Sequence, residues 1–398
     1  MSLERKVSRK VFQFAVDLMA KHLKFPAARN SIYSTRDIHG CLLQLSLREG
    51  YAEGGLTNLS LRCNLPDKVP TGRTFRERVE RVEVREIRRT LAEANDEVLR
   101  TLKGLGVFRR RAVVAIDYHR KPFYGDPNAE MVVGGPYDRG TPWNYCYASI
   151  HIVEAGRRLT LYTMPIHQFT EKATAVERLL KEASARGVHV KLVLLDRAFF
   201  TVEVISLLKR LGVRFIMPAV KNSKVKDAIR DYHESRAETA QRFPMGKGEK
   251  TVSFNLAIYP RPGERKTRKR QQSIYDRYLP FATNLSKAVA TRLPALIPEE
   301  YRRRWGIETG YRVQGSVEAK TTSKNYALRR LYQMTSVFVY NVWQYANLLL
   351  ARAARKPFDK PLVKRGTWPP TSRSSSLEGW GRLDPELFSG ACPGNRSL

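Results

Sequence analysis

Three carboxylates stand out by what precedes them. Asp117 closes the apolar run 112-AVVAI-116, Asp196 closes 191-KLVLL-195, and Glu308 lies in 301-YRRRWGIETGYR-312, alone among four arginines and two tyrosines. The ends of buried strands are where open α/β sheets put ligands. Buried carboxylates also repel one another and cannot all stay ionised. A divalent cation resolves that conflict, and arginines beside it suit a nucleic-acid phosphate. Hard oxygen donors point to Mg²⁺ or Mn²⁺ in preference to zinc. Each residue also has a plainer explanation. A single Asp at a strand end serves equally as a turn or helix cap. Arg304 and Arg312 flank Glu308 at i±4, where exposed ion pairs are worth only about 0.3–0.5 kcal/mol each. On a continuous helix Tyr301, Arg304, Glu308 and Arg312 share one face, with Trp305 and Ile307 off that stripe as anchors.

The elements that must position these groups follow from periodicity. Apolar, β-branched runs predict strands at 111–119, 145–153, 158–166, 188–196 and 213–219, with a helix capped by Thr170 running to Ala185 and another at 202–212. That order is a mixed α/β layer with helices on a central sheet. From 220 to 295 the chain turns polar and basic, with the run 261-RPGERKTRKR-270 and strands at 251–259 and 278–285, the pattern of a β-rich insertion. Residues 1–105 read as helical, with segments at 11–23, 37–50 and 57–65 and one long helix over 74–102. A short helix, the turn 66-PDKVP-70 and a helix opening with Arg73 and Arg76 outline a helix-turn-helix, which would send those arginines into a DNA major groove. An ordinary helical bundle with a solvated basic face gives the same outline. A last apolar helix spans about 325–353, and 354–398 has the Pro, Ser, Gly and Arg content of a disordered basic tail.

The composition agrees with a polyanionic partner. The chain has 398 residues, 71 Lys+Arg against 38 Asp+Glu and a formal charge of +33, a self-repulsion that nucleic acid would offset. The longest apolar run, 336–351, is short for a bilayer and carries two Asn and a Gln, so a membrane partner is not expected. The four cysteines have no zinc or disulfide spacing, which fits a reducing cytoplasm. His119, two residues beyond Asp117, is either a neighbour of the site or a packed histidine. Asp126, between Gly and Pro, has the setting of a turn residue.

Asp117 in AIDYH, Asp196 in LLDRAFF and the Y-x2-R-x3-E set of Tyr301, Arg304 and Glu308 resemble the DDE transposases of bacterial and archaeal insertion sequences. Within these the chain is similar to the group whose third carboxylate lies in a Tyr-Arg-Glu-Lys signature. The resemblance covers roughly residues 107–350 and includes 283-TNL-285. It implies an RNase H-like mixed-sheet catalytic core at 106–219 and 296–353. With the core would go an N-terminal helical DNA-binding domain (1–105) and a β-rich insertion (220–295) before the last catalytic helix. Asp117, Asp196 and Glu308 would be catalytic and hold two Mg²⁺ ions, with Mn²⁺ as substitute. Tyr301 and Arg304 would hold phosphates. The activity implied is cleavage at transposon ends followed by strand transfer into target DNA, by a homodimer on paired inverted repeats, in the cytoplasm at the nucleoid. One position departs: the signature Lys would fall at 315, which is Gly. Arg312, one turn after Glu308, is the expected substitute in contacting DNA. Lys320, in reach only if the helix bends or ends, and Lys324 are the other candidates. Two alternatives stay open: an RNase H-like nuclease that does not join strands, and a DNA-binding relative that has lost catalysis.

Overall fold

The computed structural model describes residues 3–48, 50–63, 69–107, 111–261, 273–292, 296–358 and 361–362. The N-terminal part is helical, with α1 (Leu3–His22), α2 (Thr35–Leu47), α3 (Ala52–Cys63), α4 (Gly72–Val79) and α5 (Val84–Gly104). Ser34 and Asp37 form a reciprocal capping box that starts α2, and the Thr71 hydroxyl caps α4. The single helix expected over 74–102 is in fact two. Val79 at the end of α4 and Val82 within the break are both buried, and the apolar spacing runs on into Ile87 and Leu91, so periodicity alone could not reveal it. Residues 66–68 of the expected turn lie outside the described residues, as does most of the 261–270 charge run and, from 363 on, the tail.

The sheet is built from β1 (Ala112–Pro122), β2 (Val132–Asp138), β3 (Thr141–Glu154) and β4 (Arg157–Pro165), then α6 (Lys172–Ala185), β5 (Val190–Leu195), α7 (Val202–Arg210) and β6 (Phe215–Pro218). All five expected strands are present. Thr170 is not the cap of α6: its hydroxyl accepts from the His167 N–H at 3.0 Å, and Glu171 takes the cap position. The segment after β6 holds α8 (Ser223–His233), β7 (Ala240–Lys247), β8 (Lys250–Pro260) and β9 (Tyr278–Thr283). β2, β7 and α8 escaped prediction, β2 because Gly134, Gly135 and Pro136 mask its strand character.

The described strands form one nine-stranded mixed sheet in the order β2-β3-β1-β5-β6-β9-β8-β7, with β4 also on β3. At its centre β1 runs antiparallel to β3 and parallel to β5, with Ile116 opposite Leu195. The segment expected as a β-rich insertion continues this sheet, since β9 pairs with β6. The chain then forms α9 (Lys287–Arg292), α10 (Leu296–Arg302), α11 (Trp305–Gly315) and α12 (Tyr326–Ala353). Asn325 caps α12 through the Leu328 N–H at 3.0 Å. This helix is buried along nearly its whole length, packed on α1, α2, α4 and α5 on one side and β4 and α11 on the other. One continuous core therefore joins the N-terminal helices to the sheet.

Candidate active site

The parallel pairing of β1 with β5 brings two of the three carboxylates together. Ile116 faces Leu195, so the next residue on each strand, Asp117 and Asp196, leaves the sheet side by side. Asp196 occupies the cap position of the short 3₁₀ turn Arg197–Phe199, yet its side chain makes no capping hydrogen bond. That removes the plainer explanation for this residue and leaves its carboxylate for other work.

Glu308 arrives on α11, which two glycines seat close against β3. A Cβ on Gly306 would stand 3.0 Å from Val153 Cβ, and one on Gly310 would stand 3.1 Å from His151 Nδ1, tighter than side chains tolerate without shifting. Ile307 is fully buried and anchors the helix. Trp305 does not: it is 68% exposed, because the helix breaks at Arg303–Arg304 and its first residue turns outward. For the same reason Tyr301 and Glu308 sit on successive helices, α10 and α11, with Arg304 at the junction.

Arg304 ties the site together. Its Nη1 donates to Asp117 Oδ2 at 2.9 Å, its Nη2 donates to Glu308 Oε1, and its guanidinium lies 5.6 Å from the Tyr301 ring centre. Burial would lower its pKa, but the Tyr301, Asp117 and Glu308 groups outweigh that and raise it. The ion pair with Glu308 expected as the plainer case thus exists, but as half of a bridge to a buried strand carboxylate. Burial pushes the Asp117 carboxyl up to about 6, against the pull of Arg304 and with the push of Asp196 and Glu308. Its Oδ1 accepts from the Tyr118 N–H at 2.8 Å.

Tyr311, which the sequence did not single out, completes the frame. Its hydroxyl donates to the Asp117 backbone oxygen at 2.9 Å, and its ring stacks on His119 at 4.5 Å between centres. The signal was available, one helical turn after Glu308 in the same signature segment. His119 is the packed histidine of the two readings, pushed by burial down to about 3. Asp126 is a turn residue, accepting from the Asn128 N–H at 2.9 Å.

Arg312 is exposed on α11. The helix ends at Gly315, and the chain turns back so that Lys320 and Gly315 line one cavity. Arg73 and Arg76 lie far along the chain on α4 and are ion-paired, to Glu77 at 2.8 Å and Glu53 at 2.6 Å.

Among the described residues, no three His, Cys, Asp or Glu side chains are arranged as a ready-made metal cage; between Asp117 and Glu308 that place is taken by the guanidinium. The donor set nonetheless fits a hard divalent cation. It is all oxygen, one member is driven toward protonation by burial despite its ion pair with Arg304, and that cationic side chain stands between two members.

The sequence profile of the Transposase DDE domain family matches residues 113–341, more than half of the chain. The chain belongs to the DDE transposases. A solved relative in shape is the piggyBac transposase, seen by cryo-EM in a synaptic complex with hairpin DNA, at 12% identity and a TM-score of 0.53, covering 92% of this chain and 76% of that one. The likeness establishes an RNase H-like fold for this DDE transposase. No significant match is found among curated protein sequences. Among the described residues, no helix is long and apolar enough to cross a membrane.

Proposed function

We infer that this transposase cleaves DNA at the ends of a mobile element and joins the freed 3′ ends to target DNA, using Asp117, Asp196 and Glu308. The observation that carries this is the convergence of β1, β5 and α11: strand register sets Asp117 beside Asp196, and Arg304 connects Asp117 to Glu308. The three carboxylates would hold two Mg²⁺ or Mn²⁺ ions. When bound, such ions supply Lewis-acid activation of water or a 3′-hydroxyl and neutralise charge on the phosphate. The rest is done by the chain's own groups. Asp117 is fixed by the Tyr118 N–H and by Tyr311. Arg304, which bridges Asp117 and Glu308, has a guanidinium suited to bidentate contact with the scissile phosphate. Tyr301 backs that guanidinium with its ring.

The Y-x2-R-x3-E spacing supports placing the chain in the Tyr-Arg-Glu-Lys group of prokaryotic insertion-sequence enzymes, acting on inverted repeats as a homodimer in the cytoplasm. The division of labour we propose gives 1–105 the reading of transposon ends, including Arg73 and Arg76 once DNA displaces their carboxylate partners. It gives 106–219 and 296–353 the chemistry. Because α12 packs on α1, α2 and α5, deletion of 1–105 would uncover the core, so the reading of ends is better tested by Arg73→Ala and Arg76→Ala.

The decisive experiment compares Asp117→Asn, Asp196→Asn and Glu308→Gln with wild type in Mg²⁺-dependent cleavage and joining of end-bearing DNA. Each variant should lose both activities, by a factor of about 10³ or more, and keep DNA binding. Substantial cleavage by any one of them would remove that residue from the site. Cleavage without joined products by wild type would favour a plain nuclease.

A further inference from the structure

Beyond the carboxylates, β1 and α11 lead to a second feature. Asp117, His119 and Lys121 alternate along one face of β1, so Lys121 lies about 13 Å beyond Asp117. On α11, Gly315 lies two turns, about 10 Å, beyond Glu308. Both elements end at the same cavity of about 330 Å³, walled by the 315–321 loop, the tip of the β2–β3 hairpin and the turn before α3.

Its lining is cationic and aromatic. Lys121, Arg139, Lys320 and Arg329 contribute positive charge, and Glu318, paired with Lys121, is the acidic residue among them. Tyr51 stands half exposed at the rim, and Tyr147 is buried in the floor, 5.9 Å from Lys121 Nζ. The guanidinium of Arg329 is held over the rings of Phe123 and Tyr145 at 5.2 and 5.9 Å. The Lys320 backbone bonds to Gly50 at 2.9 Å, which fixes the loop to the Tyr51 turn. The cavity is thus framed by three separate parts of the chain.

We propose that this cavity is a binding site for an unpaired nucleotide of a DNA strand passing through the active site, with Lys320 and Arg139 on its phosphate and Tyr51 against its base. The proposal rests on the transposase reading above. Cations interleaved with tyrosines match a single strand, whose phosphates need charge and whose exposed bases stack on any aromatic face. A recess of this volume holds one nucleotide and cannot admit a duplex. Gly315 is part of the lining, and a Cβ added there would meet nothing within 4 Å, so a side chain can be placed at 315 without displacing its neighbours.

The same fact supplies the test. Gly315→Leu should fold, since the helix gains a better former and the side chain enters open space, and should fill the cavity. Binding of the full chain is measured without divalent metal, to a short blunt duplex and to the same duplex carrying a single-stranded overhang. Wild type should prefer the overhang by roughly tenfold, the scale of stacking one base on an aromatic ring. Gly315→Leu and Tyr51→Ala should each abolish that preference and leave blunt-duplex affinity unchanged. An overhang labelled with 5-iodouracil should crosslink to Tyr51 in wild type and not in Gly315→Leu. The proposal is overturned if wild type shows no preference or if Gly315→Leu keeps it. Competition by thymidine monophosphate as strong as by the single strand itself would also overturn it, in favour of a free-nucleotide site. The comparison reads binding alone, so it stands or falls separately from the cleavage assay.

Discussion

Asp117 is placed where its charge costs stability, and Asp117→Asn measures that cost. In the unfolded chain its carboxyl has the ordinary value of 3.8, and in the fold burial drives it up to about 6. At about 1.4 kcal/mol for each tenfold change in proton affinity, the ionised group costs the folded state about 3 kcal/mol. Asn is nearly isosteric with the protonated acid and keeps an acceptor for the Tyr118 N–H. The attraction to Arg304 is already contained in that shift, and Arg304 retains Glu308 as a partner. The expected net gain in metal-free buffer near neutral pH is therefore about 1–3 kcal/mol. The sign follows from the direction of the shift. Below about pH 4 the carboxyl is protonated in both states and the two proteins should be equally stable. As pH rises toward about 6 the wild type loses stability and the variant does not, and above that the difference is constant. Chemical denaturation in EDTA across this range reads it directly. Added Mg²⁺ or Mn²⁺ should then stabilise wild type by mass action and narrow the gap. A variant less stable than wild type at neutral pH, or a gap that persists at the acid end, would refute the placement of Asp117 as a buried carboxylate whose ion pair does not repay its desolvation.

Three further outcomes are expected. Arg304→Gln should bind Mn²⁺ in the absence of DNA at least about tenfold more tightly than wild type, because a resident cation has been removed from Asp117 and Glu308. Paramagnetic resonance of free Mn²⁺ reads this, and unchanged or weaker binding would contradict the competition. The affinity for any duplex should fall steeply with salt, since the +33 formal charge implies the release of many counterions; a flat dependence would show that the charge is not directed at phosphate. Gly310→Ala should lower stability by about 1–3 kcal/mol, the usual cost of overpacking, because its Cβ would press on His151 Nδ1 at 3.1 Å, and a melting point equal to wild type would mean that α11 can shift off β3 freely.

The central strands were legible because their signal is local. Each buried strand is a run of apolar, β-branched residues, and an acidic residue after such a run is conspicuous. That local signal located β1, β3, β4, β5 and β6, and their register then set Asp117 beside Asp196. The breaks were not legible. The chain stops being helical at Glu80 and again at Arg303 without proline or glycine at either point, and the apolar spacing carries on across the first. Tertiary packing makes both breaks, and helix periodicity does not record it.

The break at Arg303–Arg304 decides what Arg304 does. On an unbroken helix Tyr301, Arg304, Glu308 and Arg312 would form one stripe, and Arg304 would be a surface residue paired with its neighbour four positions on, screened by solvent and worth little. In the fold its side chain is only 11% exposed while that of Glu308 is 46% exposed, because the junction turns the guanidinium inward to Asp117 on β1. A charge buried to that degree needs an anionic partner at all times. Its partners are two of the three carboxylates proposed to hold metal, and the natural replacement for them is a phosphate. Exchange of one anion for the other would tie the opening of the metal site to the arrival of DNA.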